Sequence, residues 1–148
     1  MSRTTIVTMF FNIRPQETPS GMSYKPTDSY FELANAFILR LPYPLIIFMD
    51  ASNEKIEEFV TNTRQTYGLV NKTHIFKIAL QDTYFYKDVE RINSLMKSFV
   101  ITNSNQDKDT ALYIVLNNNK MDFMERAIAS NPFQSSHFMW MDFGITYI

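Results

Sequence analysis

The feature that most constrains this chain is an alternation, in which short runs of β-branched and aromatic residues recur between longer segments whose apolar residues fall at helical spacing. Residues 4–11 are apolar and β-branched without a clean in-and-out pattern, which suits a strand buried on both faces of a parallel sheet. Leu45-Ile46-Ile47-Phe48-Met49 predicts a second such strand, residues 74–80 a third, and Phe138-Met139-Trp140-Met141 a fourth. Between them, Phe31, Ala34, Phe37 and Ile38 predict a helix that Thr27 or Asp28 caps and that Pro42 and Pro44 stop. Ile56, Phe59, Val60 and Thr63 line a second helix, with Ser52 as its cap and Gly68 as its terminator. Val89, Ile92, Leu95, Met96 and Phe99 mark a third. Tyr113, Leu116, Phe123, Met124, Ala127 and Ile128 follow the ~100° advance per residue of one helix over residues 110–130, although 111–116 alone would also suit a strand. The order predicts an α/β fold with a mostly parallel sheet flanked by helices, a class that gathers ligands at the carboxyl edge of its strands. Asn12, Arg14, Asp50, Asp82 and Asp142 would lie near that edge.

A chain of 148 residues with 45% hydrophobic content can bury one substantial core, and it carries no internal repeat and no domain linker. Residues 14–26, with Pro15, Pro19 and Gly21, read as a mobile loop, and residues 102–109 as a polar connection. A net charge of -1 without a basic stripe gives no electrostatic case for nucleic acid. Without cysteine there is no disulfide framework, thiolate metal site or thiol nucleophile. No apolar run approaches the roughly 20 residues that cross a bilayer, and Asn12 and Arg14 interrupt the first strand before a signal-peptide core develops, so the expectation is a soluble, cytoplasmic protein. Neither a Walker loop, a Gly-rich dinucleotide fingerprint nor a nucleophile elbow is present, which leaves kinase-like, hydride-transfer and serine-hydrolase readings without support. His74 and His137 are too isolated for a metal pattern, and Glu54, Glu57 and Glu58 read as a solvated helix face.

Two charged residues stand out. The helical projection puts Lys120 between Tyr113, Leu116, Met124 and Ala127, an apolar stripe in which an ammonium needs either an escape to water or an anion. Its stem can cover apolar surface while its head is solvated, or it can contact a pyrophosphate. Asp142 follows the fourth strand, where an Asp serves either as a turn residue or as a ligand for a cation.

Thr5-Ile6-Val7-Thr8-Met9-Phe10-Phe11-Asn12-Ile13, Thr27-Asp28-Ser29-Tyr30-Phe31 and Pro44-Leu45-Ile46-Ile47-Phe48 resemble the bacterial HtrL-like (HtrL/YibB-type) family, in the same order. The closest correspondence is Lys120, Ala127-Ile128, Asn131-Pro132-Phe133 and Trp140-Met141-Asp142-Phe143-Gly144, which is similar to the family's Lys, Ala-Ile, Asn-Pro-Phe and Trp-Ile-Asp-Phe-Gly pattern. The resemblance implies a glycosyltransferase of GT-A type, with a Rossmann-type nucleotide-sugar-binding half that takes a nucleotide diphosphate sugar and passes the sugar to a glycan or protein hydroxyl. It places Phe11 and Asn12 near the base, Asp50 at base or ribose, and Lys120 at phosphate. Asp142 falls in the region of the Asp-any-Asp metal motif, implying a divalent cation, Mn2+ or Mg2+, that neutralises the diphosphate. Trp140-Met141-Asp142 holds one carboxylate where that motif has two. The chain ends soon after Gly144, where GT-A enzymes continue into an acceptor-binding segment. The expectation is therefore a single donor-binding domain over residues 1–148, incomplete at its C-terminus, that binds donor and transfers poorly, with no catalytic residue assignable. The alternatives are a non-catalytic nucleotide-sugar-binding module and a structural or interaction domain derived from a glycosyltransferase.

Overall fold

The computed structural model describes residues 3–13, 27–99 and 108–145; the expected loop at 14–26, Arg14 with it, and most of the polar connection at 102–109 lie outside the described residues. Four strands, β1 (Thr4–Phe10), β2 (Leu45–Asp50), β3 (Thr73–Ile78) and β4 (His137–Trp140), form one sheet in the order β3-β2-β1-β4. Every pairing is parallel, with Ile6 opposite both Leu45 and Met139. Among the described residues, four α-helices accompany it: α1 (Thr27–Ala36), α2 (Glu54–Thr66), α3 (Val89–Ser98) and α4 (Ala111–Ser130). The protein is thus an α/β fold of Rossmann-like type.

Two cores explain why β1 and β2 lack polar alternation. On one face Ala34, Ile56 and Val60 pack against Ile6, Phe10, Leu45, Ile47 and Met49. On the other, Leu112, Leu116, Phe123 and Ala127 of α4 cover Val7, Phe11, Ile46 and Phe48. Phe123 lies between the ring of Phe11, just past β1, and that of Phe48 in β2, with centroids 5.8 Å and 4.6 Å away. No residue of α3 is buried; this helix packs along α4 and touches the second core only through its first residue, Val89. Buried Asn119 ties α4 to the connection after β3, its amide donating to the Thr83 hydroxyl at 3.1 Å and its oxygen accepting the Phe85 N–H at 3.1 Å.

Arg64 dominates the amino edge of the sheet. It is fully buried, and its five donor contacts go to the Thr73 hydroxyl at 2.8 Å and to the carbonyls of Leu39, Leu41, Tyr43 and Lys72 at 2.8 to 3.3 Å. Each N–H of the guanidinium is used, yet each of these acceptors is neutral. Burial pushes its pKa down to about 10, so the group stays charged at neutral pH. The carbonyls it collects belong to the segments leading into β2 and β3, and Arg64 therefore fixes where those two strands begin.

Several local expectations are corrected. Ser52 does not cap α2: its hydroxyl and N–H both donate to Asp50 Oδ1, and the cap position is Asn53, which makes no side-chain bond. The third strand stops at Ile78 because buried Leu80 begins a 3-10 turn, Leu80–Asp82. The fourth is not buried throughout: among the described residues it pairs only with β1, and Met139 is 47% exposed. Ile128 also faces out, since the apolar stripe of α4 narrows beyond Ala127. Gly68 does end α2, at φ +67°, with its N–H on the Gln65 carbonyl and that of Leu69 on Arg64, a Schellman arrangement. Thr110 caps α4 by accepting from the Tyr113 N–H. Asn131 terminates that helix in the left-handed region at φ 36°, and its side chain both accepts from the Ser135 N–H at 2.7 Å and donates to the Ser135 carbonyl at 3.0 Å. Ser135 in turn shares a buried hydroxyl bond of 2.7 Å with Thr5.

Candidate functional site

The chain reaches β3 by stepping outward through β1 and β2, then crosses back to lay β4 on the other side of β1. This reversal leaves a crevice at the carboxyl ends of β1 and β4, where open α/β sheets collect ligands. A pocket of about 440 Å³ lies there. The segment after β1 (Phe11, Asn12, Ile13) forms one wall and the segment after β4 (Asp142, Phe143, Gly144) another. Tyr113, Leu116, Asn117 and Lys120 close it from α4, and Tyr30 from α1. The volume falls in the ~300–1,000 Å³ range of small-molecule sites. Gly144 makes room for the Tyr30 ring: a Cβ there would come within 2.9 Å of it.

The charged centre of this pocket is Lys120 with Asp142. Lys120 Nζ donates to Asp142 Oδ1 at 2.8 Å, and the Trp140 indole N–H donates to the same oxygen at 2.8 Å. The ammonium also stands 5.6 Å from the Trp140 ring centroid, within cation–π reach. The partners differ in exposure: the Lys120 side chain is 27% exposed and that of Asp142 61%. Burial raises the Asp142 carboxyl, but the hydrogen bonds from Lys120 and Trp140, with the charge of Lys120, outweigh it and hold the group below the usual carboxylate range.

Of the residues singled out in the sequence, Phe11, Asn12, Lys120 and Asp142 are brought together in this pocket. The Phe11 ring is itself core, only 6% exposed and stacked on Phe123. Asp50 shares the carboxyl edge but does not line the pocket; its Oδ1 is engaged by Ser52 in a turn. Asp82 is exposed in the 3-10 turn after β3. Sequence reasoning passed over Tyr30, Lys108, Tyr113 and Asn117 as pocket residues. Asn117 could have been found, because it lies four positions after Tyr113 and three before Lys120 on one helical face. Tyr30 and Lys108 come from elements whose approach is set only by tertiary packing.

The donor set does not fit a divalent ion held by the protein. Among the described residues no group of three or more His, Cys, Asp or Glu converges, and Asp142 is the one carboxylate among those lining the pocket. A divalent cation on Asp142 Oδ1 would meet an ammonium already 2.8 Å from that oxygen. His74 packs edge-on to Phe76, and His137 is exposed beside Ser136.

The fold and pocket define a Rossmann-like α/β protein with a ligand-sized crevice at its topological switch point. The chain belongs to the HtrL_YibB family, described as bacterial proteins of unknown function, which it matches over residues 2–148. No curated protein and no solved structure matches it. Among the described residues, no helix is long and apolar enough to cross a membrane.

Proposed function

We propose that the carboxyl-edge pocket binds a nucleotide diphosphate sugar and that the protein is a glycosyltransferase, or the donor-binding domain of one, acting on a glycan or protein hydroxyl. The observation that carries this reading is the Lys120 ammonium, held at an apolar crevice at the sheet's switch point. Lys108 adds a second cation, which suits the two charges of a diphosphate, while the amides of Asn12 and Asn117 beside aromatic walls suit a base and ribose. Calorimetric titration with a panel of nucleotide sugars tests binding, and donor-dependent product formation with glycan and peptide acceptors tests transfer. Micromolar affinity for at least one donor is expected; absence of binding across the panel would remove the reading.

A second reading is donor binding without transfer. It is favoured by the state of Asp142, the one carboxylate among the described lining residues, which Lys120 and Trp140 hold ionised and so make a weak proton acceptor. Binding with product at background would select it.

A further inference from the structure

We infer that Asp142 is the resident counter-ion of an anion site whose cation is Lys120: the carboxylate holds the ammonium until a diphosphate replaces it, so ligand binding needs no divalent ion. The inference rests on the pocket being a nucleotide diphosphate site, and it specifies where the neutralising charge comes from and what the ligand must displace.

Four features support it. Lys120 is constrained, because its stem runs in the apolar stripe of α4 beside Leu116 and its side chain, 27% exposed, lines the pocket. Asp142 is not: it is more than half exposed on the segment after β4, so it can turn into water at little desolvation cost. When two paired charges differ this much in exposure, the exposed one yields. Third, the Trp140 ring offers the ammonium a contact that does not depend on Asp142, so the cation stays in place during the exchange. Fourth, the described lining carries two lysines against one aspartate, and releasing that aspartate raises its positive charge as the anion arrives. Phosphate oxygens then accept the charge-assisted bond the carboxylate gave up.

The sign of one substitution separates this arrangement from metal ligation. Asp142→Asn removes the competitor and should tighten binding, whereas loss of a metal ligand weakens it. The experiment is a titration with UDP, GDP and ADP in EDTA and again in manganese, on the full chain. Heat and the fluorescence of Trp140, the chain's single tryptophan, give independent readouts. The parent should bind equally, within about 3-fold, in both buffers; Asp142→Asn and Asp142→Ala should bind about 3- to 10-fold tighter; Lys120→Met should bind at least ~10-fold more weakly. Binding that requires manganese, or that weakens in both Asp142 variants, would overturn the counter-ion assignment and leave the proposed function standing. No binding by the parent or either Asp142 variant would take down both.

Discussion

The two edges of the sheet each place a long basic side chain against the core, and they use it in opposite ways. At the amino edge Arg64 is fully buried and saturated by one hydroxyl and four carbonyls. At the carboxyl edge Lys120 is partly exposed and held by an acid that is itself exposed. A saturated cation has nothing left to offer a ligand, so its contribution is structural. A cation with a displaceable partner is available. Burial and partner chemistry, more than charge, separate a strut from a site.

Breaking the amino edge should give the largest effect. Arg64→Met strands one buried carbonyl and three partly buried ones, and at about 1–3 kcal/mol for each unsatisfied buried group the loss should be about 3 kcal/mol in urea unfolding. Arg64→Lys should recover only part, because three donors cannot serve five acceptors. Folded Arg64 variants should bind nucleotide like the parent; a loss of affinity without a loss of stability would place Arg64 in the site.

Lys120→Met inverts the pattern. Stability should change by less than ~1 kcal/mol, as for other solvated ion pairs, while nucleotide affinity falls ~10-fold or more. Matched losses in both measurements would make Lys120 a second strut.

Gly144→Ala tests the wall of the carboxyl-edge pocket. The Tyr30 ring must shift to admit the methyl group, so an overpacking cost of about 1 kcal/mol and a smaller loss of affinity are expected. A crystal structure of the variant with Tyr30 unmoved would refute the contact.

The smallest effect concerns protons. Asp142 is depressed, so its pairing contributes stability at neutral pH that is lost as pH falls through its lowered pKa. Carboxyl NMR should show Asp142 titrating below the usual range in the parent and moving up toward it in Lys120→Met. An unchanged midpoint in the variant would mean that Lys120 does not set it.

Much of the fold was legible because its signals are local. The unalternating apolar runs announced buried parallel strands, and the Phe123–Ala127 spacing announced a helix that the Ala111–Leu116 stretch alone left open. Lys120 was legible because its charge conflicts with the stripe around it. Arg64 presents the same conflict, eight residues beyond Ile56 and four beyond Val60, and applying the same test to α2 would have found it. Tyr30 and Lys108 were not legible, since nothing in their own segments records which strand ends they approach. The turn role of Asp50 was hidden for another reason: strand-end Asp residues look alike until their hydrogen bonds are known.

The loop from Asn131 to Ser135 has a consequence for how this sequence tolerates insertion and deletion. It is tied at both ends, by the Asn131 side chain to Ser135 and by Ser135 to Thr5, and it sets the pairing of Val7 with Trp140. Removing or adding one residue there would slide β4 by one position on β1, and a slide of one exchanges the two faces of a strand. Trp140 would then take the outward place now held by Met139, and Asp142, two positions on and carried with it, would turn away from Lys120. The pocket is therefore more exposed to a change in the length of this loop than to most substitutions in its own lining.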